Sequence, residues 1–325
     1  MNPNWLLPIG ITLGLTLIGL AGASKPLGQL DLWLDQQDSP LTAQANALAP
    51  IIDCLNQADV PLRQAHQAYQ DQGAPRELAP AAYDISSPSG LDLETTYRSS
   101  CASRITDKLR ALDPQSPLLA ATERYLEVLG RFSTLTRDSR MQRMGFGRDL
   151  NEAQLDQLVS QLQSLTPQYL QAADAVRQLL LPLDIQPRAA QLQQLEQRLG
   201  RNAQWALLNY MIQARSTVDQ LDSGLRQGSL TPAQLAEATR ALRQAWDARQ
   251  QFQRIGQPSK DIEEALYLWH LIEAPSQEYL TALEQLHQDW QQHAAPQRLS
   301  LDFLAVTRGY DKILWHYNQL ARNQY

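Results

Sequence analysis

The stretch PRAAQLQQLEQRLGRNAQWALLNYMIQARSTVDQL, residues 187–221, decides the fold class. Leu192, Leu195, Leu199, Leu208, Met211, Val218 and Leu221 follow the three-four spacing of one apolar stripe on a helix. Strand alternation is absent. The spacing predicts a helix from Pro187 to Leu221, opened by a proline and closed by Ser223-Gly224.

The same pattern continues on both sides. Towards the C-terminus, Thr231-Pro232 opens a helix that runs to Gly256 and carries Leu235, Leu242, Trp246 and Phe252. Ser259 to His293 follows, kinked near Pro275. Ser300 caps a last helix with Phe303, Val306, Tyr310, Ile313, Tyr317 and Leu320. Towards the N-terminus, Leu150 to Leu183 reads as helix with a kink or break at Pro167. Gly145-Phe146-Gly147 separates it from a helix opened by Ser116-Pro117. Leu91 to Leu112 is helical, Gly73 to Gly90 is a loop, and Thr42 to Gln72 is a long helix interrupted by Pro50 and Pro61. Aromatic residues make up only 7%, and long runs of Val, Ile and Thr are missing, which disfavours strands. Gln is roughly one residue in eight, so uncharged amides hydrate much of the polar helix surface. The expected architecture is all-α: a multi-helix antiparallel bundle of long, partly kinked helices.

Residues 5–23 contain no charge and end in Ala21-Gly22-Ala23. Small residues at Ala21 and Ala23 match the pattern read by signal peptidase. The run is also long enough to span a bilayer uncleaved. The organisation expected is therefore 1–23 signal peptide or N-terminal membrane anchor, 24–40 linker, and 41–325 helical domain. The expected location is exported: periplasmic, or anchored to the inner membrane and facing the periplasm. Membrane contact is expected only through the N-terminal segment, if it stays uncleaved. With 325 residues and 43% hydrophobic residues the chain can bury a sizeable core. A net charge of -6 gives no electrostatic footprint for nucleic acid.

Cys54 and Cys101 are the two cysteines. In an oxidising compartment such a pair is read first as a structural disulfide. Two inert buried thiols are the alternative. A redox pair would present Cys-x-x-Cys, which is missing.

No nucleophile elbow, zincin helix, phosphate loop or zinc spacing is present, so no catalytic, cofactor-binding or metal-ligating residue is assigned and no enzyme is expected. Glu284 and His287 form a single Glu-x-x-His, where di-iron bundles use two. Arg131, Arg137, Arg140, Arg143 and Arg148 form a basic patch with Phe132 and Phe146 interleaved. It reads as a solvated surface first, and as a site for phosphate, lipid headgroups or an acidic cell-wall polymer second. Trp269, His270, Tyr310, Trp315, His316 and Tyr317 read as core before they read as the lining of a pocket.

Ala49-Pro50-Ile51-Ile52-Asp53-Cys54-Leu55-Asn56 resembles the opening of the YiiG-like family of bacterial envelope proteins. Residues 200–211, from Gly200-Arg201-Asn202 to Asn209-Tyr210-Met211, resemble that family's central stretch, and Tyr317-Asn318 is a third match. The resemblance implies a helical domain of unknown function in the envelope. It implies no activity and no catalytic residue. The lipid-bearing cysteine common in that family has no counterpart near the Ala-Gly-Ala site. The function expected is a non-enzymatic interaction or structural protein whose partner is an envelope protein or cell-wall component. A small-ligand or metal-binding bundle is the alternative, and an envelope hydrolase the third reading.

Overall fold

A computed structural model describes residues 40–144, 151–252 and 260–321. The expected signal segment with Ala21 and Ala23, the linker up to residue 39, the Gly145-Phe146-Gly147 break and Arg148 lie outside the described residues. Among those described, the chain is helical, and the one β feature is an isolated bridge between Ser86 and Asp92. No described helix is long and apolar enough to cross a membrane.

The long elements are α1 (Pro40–Cys54), α2 (Val60–Asp71), α4 (Leu93–Ser100), α6 (Pro117–Met144), α7 (Glu152–Leu199), α8 (Ala203–Gln227), α9 (Pro232–Ala248), α10 (Lys260–Gln291) and α11 (Pro296–Ala321), with short helices α3 (Ala79–Ala82) and α5 (Asp107–Leu112) between them. They enclose two apolar cores. The first gathers α1, α2, α4, α6 and the front of α7 around Leu48, Leu62, Leu129, Phe132 and Val176. The second gathers α8 to α11 around Tyr210, Leu221, Leu242, Ile272 and Val306. The all-α bundle is as expected.

The opening stretch is a correction. Residues 187–221 are not one helix. Pro187 lies inside α7, a 48-residue helix that runs through Pro167, Pro182 and Pro187. That helix stops at Gly200, whose φ of 70° and ψ of -172° suit a residue with no Cβ. Asn202 then opens α8, its Oδ1 accepting from Trp205 N at 2.9 Å. Leu199 and Leu208 are nine residues, two and a half turns, apart, so the stripe changes face at the break. The stripe also divides in its environment. Leu208, Met211, Val218 and Leu221 are buried, whereas Leu199 is 54% exposed. The helix continues through Ser223-Gly224 and ends at Gly228, which adopts the left-handed conformation.

Proline inside α7 removes the N–H that would bond the carbonyl four residues earlier. For Pro187 that carbonyl belongs to Leu183, and Gln44 Nε2 of α1 donates to it at 2.8 Å. A tertiary contact thus replaces a helical one, which explains why a helix expected to end near Leu183 continues. Gln44→Leu should cost about 1–2 kcal/mol, because a carbonyl with no helical partner would lose its substitute. Urea unfolding measures it, and no change in midpoint would mean that water serves equally well.

Three further expectations are corrected. Thr42 to Gln72 contains a π-helical turn, Leu55–Asp59, before Pro61, where the widened turn accommodates a residue with no N–H to give. Leu91 to Leu112 is divided into α4, a 3-10 turn and α5 at the disulfide. The last helix starts at Pro296 rather than at Ser300, since proline suits a first turn.

α10 and α11 pack tightly at Gly309, where a Cβ would lie 2.9 Å from the Tyr279 Cα. Gly309→Ala should therefore destabilise by about 1–3 kcal/mol, despite alanine's better helix propensity. Thermal unfolding should show a lower midpoint, and a raised one would mean the helices separate freely.

Candidate functional site

Asp59 sits in the π turn and is 1% exposed. The turn places its carboxylate between the two cores, where three side chains converge on it. Arg63, one turn on, donates to Oδ2 at 3.0 Å, and Tyr169 of α7 donates to Oδ1 at 3.0 Å. Arg177, two turns beyond Tyr169, pairs with the same carboxylate. Arg63 also reaches Asp311 of α11 at 2.5 Å, and so ties the first core to the second. Tyr125 completes the cluster, with its hydroxyl 3.5 Å from that of Tyr169.

Burial pushes the Asp59 carboxyl up, but Arg177 and Arg63 outweigh it and hold the group below the ordinary aspartate range. Asp59 is thus a committed anion rather than a base. Burial raises Asp311 despite Arg63, and raises Asp219 despite Arg215. Burial likewise raises the phenols Tyr125, Tyr169 and Tyr310. The seam continues through Arg215 of α8, which lies 3.7 Å from Asp184 and 3.4 Å from Asp219. A cavity of about 80 Å³ remains among Asp59, Arg63, Arg177, Asp219 and Tyr310. Chemically the seam is a set of compensated charges.

A recess of about 350 Å³ adjoins the seam at Arg177 and Asp219, and two more lie elsewhere. One, of about 240 Å³, is walled by Tyr69, Tyr83, Leu162 and Leu170, with His66 Nδ1 2.7 Å from the Tyr83 hydroxyl. Burial lowers the His66 pKa, so that ring is neutral at pH 7. The other, of about 270 Å³, runs between α2 and α11 and includes Trp315 and His316.

The residues singled out from sequence fall as follows. Cys54 and Cys101 form a disulfide with Cα atoms 4.9 Å apart and no exposure. Arg131 is exposed on α6, and Arg137 is paired with Glu94 at 3.0 Å and with Asp138 at 2.9 Å. Arg140 and Arg143 belong to α6, with side chains outside the described part. Glu284 is paired with Arg243, and no group of three potential metal ligands exists among the described residues. The aromatic set divides. Trp269 and Tyr310 are core, His270 is exposed, and Trp315 and His316 line the α2/α11 groove.

A family model described as "Protein of unknown function (DUF3829)" matches residues 141–320, more than half of the chain. The chain belongs to this family. The match takes in α7 and the whole second core, while α1 to α5, the disulfide and Asp59 precede it. No curated protein and no solved structure matches the chain. Family membership therefore brings no activity with it.

Sequence reasoning missed the Asp59 cluster. The available signal was an acid–base pair, Asp59 and Arg63, one helical turn apart in a segment with buried Leu55, Ala58, Val60 and Leu62 on all sides. A charge among apolar neighbours has to find partners in the interior.

Proposed function

We propose that this DUF3829 member is an exported protein of the bacterial envelope that works by binding rather than by turnover. The carrying observation is the fully buried Cys54–Cys101 bond, because such bonds persist in oxidising compartments. The YiiG-like resemblance of residues 49–56 and 200–211 supports the same compartment. Binding is favoured over catalysis because the buried Asp59 is tied up by Arg63, Arg177 and Tyr169, while Asp311 and Asp219 are each paired with an arginine of the same seam. The partner in this reading is an envelope protein or a cell-wall component.

Fractionation with mass spectrometry of the N-terminus tests the compartment. The expected product lies in the periplasm and begins at Ser24, after cleavage behind Ala23. A full-length membrane product would select the anchor. A full-length cytosolic product with two free thiols would end the proposal. Cross-linking in intact envelopes should then recover one specific partner.

A further inference from the structure

Helices α2 and α11 run antiparallel, since Asp71 meets Arg308 while Arg63 meets Asp311. Between them lies the groove of about 270 Å³. From α2 it takes Gln64, Gln67 and Asp71, spaced three and seven along one face. From α11 it takes Arg308, Lys312, Trp315 and His316, spaced four, seven and eight. The position of each wall follows from helical repeat alone.

Two features of this lining point to a ligand class. Trp315 is half-buried and belongs to neither core, so its ring forms an apolar wall that packing does not explain. The cations beside it are already compensated: Arg308 is 2.7 Å from Asp71, and Lys312 is 2.5 Å from Glu278. The groove therefore offers no net field to an anion. What remains is an aromatic surface flanked by carboxamides. Gln64 presents two donors and an acceptor, and Gln67, whose Nε2 already donates to Asp71 Oδ1 at 3.0 Å, keeps one donor and its acceptor; together they complement hydroxyl groups that both give and accept. A recess with one aromatic wall and a few convergent polar groups is the usual form of a small-molecule site.

We propose that the α2/α11 groove binds a saccharide. One neutral sugar ring lies with its C–H face on Trp315, and Gln64, Gln67 and His316 take its hydroxyls. The volume suits a single ring, and the open side lets the neighbouring sugars of a glycan chain pass out to solvent. This names the ligand class for the binding function proposed above and rests on that reading.

Isothermal titration of the purified protein tests it, with chitotetraose, maltotetraose and inorganic phosphate as probes. Binding of at least one tetrasaccharide at one site per chain is expected. Trp315→Ala should weaken it about tenfold or more, as loss of a central aromatic contact does. The double change Gln64→Ala with Gln67→Ala should weaken it as well. Tyr267→Ala, an exposed aromatic outside the groove, should leave it unchanged. Trp315 is outside both cores, so the variant should keep the wild-type melting temperature, which is checked first. Heat with neither saccharide, heat with phosphate alone, or saccharide binding indifferent to Trp315→Ala would each overturn the proposal. None of these outcomes bears on the compartment, which the N-terminal processing and the thiols decide separately.

Discussion

Asp59→Ala is expected to destabilise the protein by about 3–5 kcal/mol, the usual result of removing one partner from a buried ion pair. The carboxylate is enclosed and accepts from Arg63, Arg177 and Tyr169. Its loss leaves Arg177 with only Asp174, at 3.7 Å, and leaves the buried Tyr169 hydroxyl without its acceptor. Arg63 would keep Asp311. Because the Arg177 side chain is 31% exposed, some of its charge can be hydrated, which favours the lower end of the range. An exposed pair makes the control: Lys312→Ala, opposite Glu278, should cost less than about 1 kcal/mol. Guanidinium unfolding measures both, and a loss from Asp59→Ala no greater than that from Lys312→Ala would refute the assignment.

The pH dependence follows from the same group. The Asp59 pKa is lower folded than unfolded, so its contribution is present above the ordinary aspartate value of about 3.9 and disappears as pH falls through the folded value. Asp311 and Asp219 have raised folded values and work in the opposite sense: their contribution is present in acid and fades as pH rises through those values. Wild type should therefore lose stability below about pH 4, and Asp59→Ala should lose less over that window.

Loss of the disulfide is expected to have an effect of similar size. Its two cysteines are 47 residues apart, and closing a loop of that length is worth about 4 kcal/mol in chain entropy. Cys54→Ala and Cys101→Ala should each cost about 2–4 kcal/mol, and alanine avoids placing a hydroxyl at a position with no exposure. Both changes remove the same bond, so the double variant should be no less stable than the worse single one. Reduced wild type should unfold at nearly the same denaturant concentration as the variants. Two reactive thiols in denatured, unreduced protein would show that the bond does not form.

The all-α class was legible because leucine spacing is a local property that survives without tertiary information. The helix ends were less so. At Gly200 each side keeps a three-four spacing that reads as helix, and the break is marked by a half-turn shift between Leu199 and Leu208 and by the Gly-Arg-Asn sequence, a stop followed by a cap. At Pro187 the opposite happened: a strong stop signal was overridden by a contact from Gln44, 139 positions away, which no local pattern contains. The disulfide was legible from the cysteine count together with the expectation of export. The Asp59 cluster was not, because its members come from α2, α6, α7, α11 and the π turn and meet only in three dimensions. The groove was half visible: Trp315 and His316 stood out as an aromatic pair, while Gln64 and Gln67 were hidden in a chain full of glutamine.

α7 has a mechanical consequence. At 1.5 Å per residue its 48 residues make a rod about 72 Å long, leaving the first core to flank the second. Pro182 and Pro187 each remove a rung from its ladder within little more than one turn, and a side chain from another helix restores only one of the freed carbonyls among the contacts described. The bending stiffness is therefore lowest there, close to where the rod passes the edge of the first core at Leu180. A load applied across the molecule would flex it at that point before either core yields, and a deflection of ten degrees would swing the far end of the rod, about 12 residues or 18 Å away, through roughly 3 Å.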